Sequence, residues 1–226
     1  MHDFDAVWLD VGGVLVLPDP TVLAPLLAPY GGTIDIDGHR RAHYAAMAVK
    51  SHAGDGENDW SAYDAAYVRS VGVGSAMVDV AARLLNACRV PDLWRWPIPE
   101  SVAAVRKLHC AGVPLAVVSN AAGQVAEMLQ RVGICQVGDG PCVPVRCVVD
   151  SHHVGVAKPD PAIFEFAAAH FAGIDRSRIV YVGDSVTMDV HGATAAGLRP
   201  VLLDPFDDHR DAPFERIASI GDLLAR

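Results

Sequence analysis

The sequence predicts an α/β fold, a mainly parallel, doubly wound sheet interrupted by a helical insertion. Three observations carry that expectation. Short apolar runs ending in Gly, Ser or Asp recur along the chain. Helical stretches alternate with them beyond residue 97, and such alternation implies right-handed crossovers between parallel strands. One segment, residues 18–96, breaks the rhythm and reads almost wholly as helix.

The first strand is expected at residues 6–10, where Ala6-Val7-Trp8-Leu9-Asp10 runs into the turn signal Gly12-Gly13. A second covers residues 113–118 and ends in Ser119-Asn120, a third 146–149 ahead of Asp150, a fourth 179–182 ahead of Gly183-Asp184, and a fifth 199–203. Helices are expected at 100–111, 123–132, 161–171 and 186–196. Within the insertion they are expected at 37–50, 59–71 and 75–88, with Asp59 and Ser75 as N-caps. Pro25 argues against a helix before these. The chain divides into a core formed by residues 1–17 and 97–226 and a helical insertion over 18–96.

Composition narrows the function classes. With just over half of its 226 residues hydrophobic and a fifth charged, the chain has ample length to bury a core. No apolar run approaches the roughly 20 residues of a membrane-spanning helix. The acidic start Met1-His2-Asp3-Phe4-Asp5 does not resemble a secretion signal, so a soluble cytoplasmic protein is expected. A net charge of -9 without a basic tract disfavours nucleic acid as a partner. Five cysteines without C-x-x-C spacing read as reduced structural thiols. A metal cluster of Cys135, Cys142 and Cys147 is the lesser alternative.

The chemistry is expected at the carboxyl ends of the strands, where open parallel sheets bind ligands. Asp10, Ser119-Asn120 and Asp184 stand there, with Asp189 five residues after Asp184 and Lys158 just ahead of a helix. Mg²⁺ takes hard oxygen ligands, commonly carboxylates plus substrate phosphate. Asp10, Asp184 and Asp189 supply that charge, while Lys158 and Ser119 suit a transferring phosphoryl group.

Trp8-Leu9-Asp10-Val11-Gly12-Gly13-Val14-Leu15 resembles the first motif of the haloacid dehalogenase-like (HAD) hydrolases. Val117-Val118-Ser119-Asn120, Lys158-Pro159-Asp160-Pro161 with Ile163-Phe164, and Val182-Gly183-Asp184-Ser185 through Asp189 resemble the second, third and fourth, in the family's order. The resemblance implies a Rossmann-like core with a small α-helical cap domain over residues 18–96. It also implies a phosphatase acting on a small phosphorylated metabolite. Asp10 would be the nucleophile that carries an aspartyl intermediate, and Ser119 would contact a phosphate oxygen. Lys158 would neutralise charge, and Asn120 and Gly13 would line the substrate site. Mg²⁺ would be held by Asp10, the Gly12 carbonyl, Asp184 and Asp189, the last as ligand or support. A monomer or homodimer is expected.

One position departs from the pattern. Most phosphatases of the family carry an acid–base aspartate two residues after the nucleophile, and here that residue is Gly12. Glycine keeps the backbone carbonyl but removes the proton donor. Halide-displacing members lack this aspartate but need no Mg²⁺, and Asp184 and Asp189 are retained. Carbon–phosphorus hydrolases acting on phosphonoacetaldehyde use a cap lysine, for which Lys50 is the candidate. A nearly inactive metal- and phosphate-binding protein is the remaining alternative. His39, Arg40, Arg41, His43 and His52 form a solvated face or read a leaving group. Trp60, Tyr63, Tyr67, Trp94 and Trp96 serve packing between cap and core, or line a pocket.

Overall fold

The computed structural model describes residues 3–54, 56 and 58–225. Its centre is a six-stranded parallel sheet in the order β10-β9-β8-β1-β4-β7. β1 (Ala6–Leu9) lies in the middle, with β4 (Leu115–Ser119) and β7 (Val148–Asp150) on one side. β8 (Ile179–Gly183), β9 (Arg199–Leu203) and β10 (Arg216–Ile217) lie on the other. Every residue of β1, β4 and β8 is buried, which explains their unbroken apolar runs. Side chains alternate between faces. Val7, Leu9, Val117 and Val182 point into one core with Leu108 and Leu129, while Trp8, Val118 and Tyr181 point into another with Phe164 and Phe171.

The core helices α5 (Pro99–Cys110), α6 (Val125–Arg131), α7 (Ser151–Val154), α8 (Ala162–Ala168) and α9 (His191–Ala195) cover the two faces. The helix expected at 186–196 is not continuous. Val186–Val190 forms a π-helical turn and only then does α9 begin. The cause is Asp189, whose carboxylate turns back to accept from the Ser185 N–H at 2.9 Å and widens the first turn. A small parallel pair, β5 (Cys135–Val137) and β6 (Val143–Val145), was not expected.

The insertion contains α1 (Pro20–Leu27), α2 (Ile36–Ala53), α3 (Ser61–Ser70) and α4 (Val78–Ala87) around its own core of Leu23, Leu27, Ala42, Tyr63, Tyr67 and Leu85. α1 forms in spite of Pro25. Asp19 caps it by accepting from the Thr21 N–H at 2.9 Å, Pro20 opens it, and Leu23, Ala24 and Leu27 are buried. Asp59, expected as the N-cap of α3, lies one residue before the actual N-cap Trp60, although its side chain still accepts from the Ser61 N–H at 3.0 Å. Ser75 instead opens a 3₁₀ turn, and α4 starts three residues later. The insertion leaves and returns through an antiparallel pair, β2 (Val16–Pro18) with β3 (Trp94–Pro97), in a segment expected to lack strands. Pairing exit with entry brings Trp94 beside the end of β1.

Candidate active site

The three central strands stop where their apolar runs stop, so the next residue falls on one rim. Asp10 is held there by its own N–H, which donates to Val182 O at 2.9 Å and extends the ladder by one residue. Asp184 follows Gly183, and Ser119 is the last residue of β4. β1 has β4 on one side and β8 on the other, so strand order reverses at Asp10, where doubly wound sheets open a crevice.

Lys158 comes from the loop before α8 and is fixed at both ends. Its N–H donates to Asn120 Oδ1 at 2.7 Å, and its carbonyl accepts from Asn120 Nδ2 at 3.0 Å. Its buried ammonium lies 2.6 Å from Asp189 Oδ1, 2.9 Å from Tyr181 OH and 2.9 Å from Asp10 Oδ1. Tyr181 donates in turn to Val118 O at 2.9 Å. Two glycines permit this packing. A Cβ on Gly183 would stand 2.2 Å from Asp189 Cγ, and one on Gly13 would stand 1.9 Å from Asp184 Oδ2.

The electrostatics favour a cation. Oxygens of Asp10, Asp184 and Asp189 lie within 4.8 Å of one another, all three residues buried, with the single ammonium of Lys158 among them. Burial, opposed by Lys158 and reinforced by Asp189 and Asp184, pushes the Asp10 carboxyl up to about 7. Burial also raises Asp184, partly offset by its bond to His43. Burial works against the Lys158 ammonium, yet the Asp10 and Asp189 carboxylates outweigh it and hold Lys158 above its ordinary value. Asp10 Oδ1 is buried and has no hydrogen-bond partner beyond its ion pair with Lys158. Three hard oxygen donors with a deficit of positive charge and one oxygen without a hydrogen bond fit a divalent cation.

The insertion closes over this rim through α2. His43 is buried, with Nε2 2.9 Å from Asp184 Oδ2 and Nδ1 2.9 Å from Tyr63 OH. Nε2–H donating and Nδ1 accepting satisfies both contacts. Ser51 Oγ accepts from Val186 N–H at 3.2 Å, and Arg41 grips Asp208 through two bonds of 2.6 and 2.8 Å. Arg40 pairs with Glu100, His39 bonds Tyr67 OH and Thr33 O, and His52 packs on the His209 ring. These cations and histidines fasten the insertion to itself and to the core.

A cavity of about 440 Å³ opens between the two parts. Asp10, Gly12, Ser119, Asn120, Lys158, Asp184 and Asp189 line its floor, and Met47, Trp60, Val90, Pro91 and Trp94 its roof. Six of the expected site positions therefore converge with Gly12, whereas Gly13 does not serve as expected. Its N–H donates to Val16 O at 2.8 Å and its carbonyl accepts from Tyr44 OH at 2.7 Å, so its polar groups are used within the fold. The Asn120 side chain serves the Lys158 backbone. Tyr181, Met47 and His43's contact with Asp184 were not legible as parts of a site. Tyr181 reads as an ordinary strand residue, and the others depend on how α2 docks.

A family model described as haloacid dehalogenase-like hydrolase matches residues 4–197. The chain is 33% identical over 130 residues to a phosphoserine phosphatase of Thermus thermophilus, covering 57% of this chain and 49% of that protein. It is 30% identical over 118 residues to a pyrimidine 5'-nucleotidase of Escherichia coli, covering 52% and 48%. It thus spans about half the length of these curated relatives. The structure of an HAD phosphatase from Thermococcus onnurineus shares the fold, with a TM-score of 0.59 at 19% identity over 98% of this chain and 96% of that one. The motif order, the strand-end carboxylates and a match covering most of the chain agree, and the chain belongs to the haloacid dehalogenase-like hydrolases.

Proposed function

We propose that the protein is a Mg²⁺-dependent phosphatase of small phosphorylated metabolites, with residues 18–96 as a cap over a core of 1–17 and 97–226. The observation that carries this reading is Lys158 bridging Asp10 and Asp189 inside a buried carboxylate cluster. The names of the two enzymes above support it as well.

In this mechanism an Asp10 carboxylate oxygen attacks phosphorus, the ester P–O bond breaks, and its electron pair leaves with the alcohol oxygen. Water then attacks the phosphorus of the aspartyl phosphate, releasing inorganic phosphate and restoring the carboxylate. Lys158 neutralises the charge gathering between Asp10 and the phosphoryl oxygens, and Ser119 offers a hydroxyl to one of them. Asp10, the Gly12 carbonyl and Asp184 would hold Mg²⁺, with Asp189 anchoring Lys158; the ion supplies further charge neutralisation. Asn120 and Tyr181 hold Lys158 in place.

The carbon–phosphorus alternative needs Lys50 as a free amine. Its Nζ instead donates to the carbonyls of Gly56 and Asp59 and lies 4.7 Å over the Trp60 ring. A cytoplasmic location belongs to the phosphatase reading. Among the described residues no helix is long and apolar enough to cross a membrane.

The test is inorganic phosphate release from 4-nitrophenyl phosphate with Mg²⁺, in excess chelator, and in Asp10→Asn. Release that needs both Mg²⁺ and Asp10 is expected. Full release in chelator would discard the metal site, and no release from any ester would discard the phosphatase.

A further inference from the structure

The residue that lacks a side chain and the residue that crowds it are in contact. A Cβ built on Gly12 would lie 3.1 Å from Trp94 Cζ3 and 3.2 Å from Cε3, so the indole crowds position 12 and would have to shift by a few tenths of an ångström to admit a side chain. Trp94 is held there. It begins β3, and its ring meets His43 edge-on at 5.5 Å and Trp60 at 6.2 Å.

Among the described residues that line the cavity the carboxyl groups are those of Asp10, Asp184 and Asp189, and there is no histidine. His43 has both ring nitrogens engaged, by Asp184 and Tyr63. The roof above the phosphoryl site carries Trp94, Trp60, Met47, Val90 and Pro91, the two indoles tilted 60° to each other, with Lys50 and Asn58 also lining the cavity. Its Arg89 is paired with Asp64 and lies 4.5 Å over the Trp60 ring.

We propose that Gly12 and Trp94 together select phosphate monoesters of flat, acidic hydroxyl groups, phenols and heteroaromatic alcohols, whose ring stacks on Trp94. The inference rests on the phosphatase reading and names its substrate class. The chemistry follows from the geometry. When Asp10 attacks, the electron pair of the breaking P–O bond goes to the aryl oxygen. An aryloxide departs without a proton and takes one from solvent afterwards, whereas an alkoxide requires protonation as it leaves. The aromatic ring supplies the planar surface that an indole favours.

Three esters separate leaving-group acidity from stacking: phenyl phosphate (aromatic, acidic), benzyl phosphate (aromatic, not acidic) and ethyl phosphate (neither). Phosphate release with Mg²⁺ should give a kcat/KM for phenyl phosphate at least about 10²-fold above benzyl phosphate, the scale of a general acid. Benzyl phosphate should exceed ethyl phosphate mainly through KM. Trp94→Leu should raise KM for both aromatic esters by up to about tenfold, and by more than it raises KM for ethyl phosphate. Gly12→Asp alone should gain little because Trp94 crowds that position. Gly12→Asp combined with Trp94→Leu should narrow the gap between phenyl and benzyl phosphate.

Equal rates on phenyl and benzyl phosphate in the wild type would overturn the acidity half. An unchanged KM ratio in Trp94→Leu would overturn the stacking half. Calorimetric binding of phenylphosphonate and methylphosphonate to the wild-type protein with Mg²⁺ needs no turnover. Tighter phenylphosphonate binding is expected, and equal affinities would reject the pocket even in a protein that hydrolyses other esters. Phosphonate binding with no hydrolysis of any ester would reject the phosphatase reading and this inference with it.

Discussion

The floor and the roof of the cavity are built on opposite principles. The floor is charged and rigid. Asp10, Asp184, Asp189 and Lys158 are buried within hydrogen-bond or ion-pair reach of one another and are delivered by strand ends or by a loop clamped through Asn120. The roof is mainly apolar and comes from the insertion, with Met47 on α2, Trp94 on β3 and Trp60, Val90 and Pro91 on the segments between helices, and it is tied to the floor by a few polar contacts such as His43 to Asp184. The lesson is a division of labour. On the proposed reading, the floor sets what bond is broken, and the roof sets which molecule presents it. Changes to the floor should therefore be severe and indifferent to substrate, whereas changes to the roof should be milder and substrate-dependent.

The largest expected effect is on the floor. Asp10→Asn should lower phosphate release by at least about 10³-fold on every ester, since the amide keeps the shape but is not a nucleophile. Circular dichroism should show the fold intact. Residual activity above a tenth of wild type would remove Asp10 from the role.

Lys158→Met tests how strongly the floor depends on charge balance. Removing the one ammonium leaves Asp10 and Asp189 facing each other in a buried site, and breaking such a network costs about 3 kcal/mol or more. Urea unfolding should read a loss of that size, and Mg²⁺ should restore part of it. A stable, metal-indifferent variant would mean that the carboxylates do not repel as described.

Tyr63→Phe probes the link between roof and floor. It deletes the hydroxyl that meets His43 Nδ1 and should cost about 1 kcal/mol. Its effect on aryl-ester hydrolysis should appear in KM more than in kcat. A loss as deep as that of Lys158→Met would erase the contrast drawn between the two regions.

The smallest effect is on pH response. Burial, opposed by the contact with Thr33 O and by Asp35, holds His39 below its ordinary value of 6.5. A depressed histidine lends stability above the unfolded-state value, and that stability is lost as pH falls through the folded one. In the core, burial of Asp204 is outweighed by hydrogen bonds from the His209 and Asp208 N–H groups and from Arg216, which lower it from 3.8. Its contribution persists until more acidic pH. Burial likewise holds His209, in the loop after β9, below 6.5. Amide exchange should therefore show α2, α3 and that loop losing protection below about pH 6.5, and unchanged protection in all three would contradict this.

The sequence by itself determined the alternation of buried strands and helices, the position of the insertion, and the identity of the floor residues. Each of these is local. A parallel strand buried on both faces is an unbroken apolar run, and the residue ending it falls on the ligand-binding rim, so Asp10, Ser119 and Asp184 announce themselves. Only the tertiary structure decided the rest. Asp189's return to Lys158 and Ser185 breaks the expected helix into a π-helical turn, and no helical periodicity encodes that bend. Gly13 read as a substrate contact but is a glycine because Asp184 and His43 come too close for a side chain. Trp94 and Gly12 are 82 residues apart in the chain, and their contact exists only because β2 and β3 pair at the foot of the cap. Periodicity and end signals act over a few residues and can be read along the chain. The roof is made by docking the insertion through β2, β3 and α2, where the identity of each neighbour depends on every other element being in place.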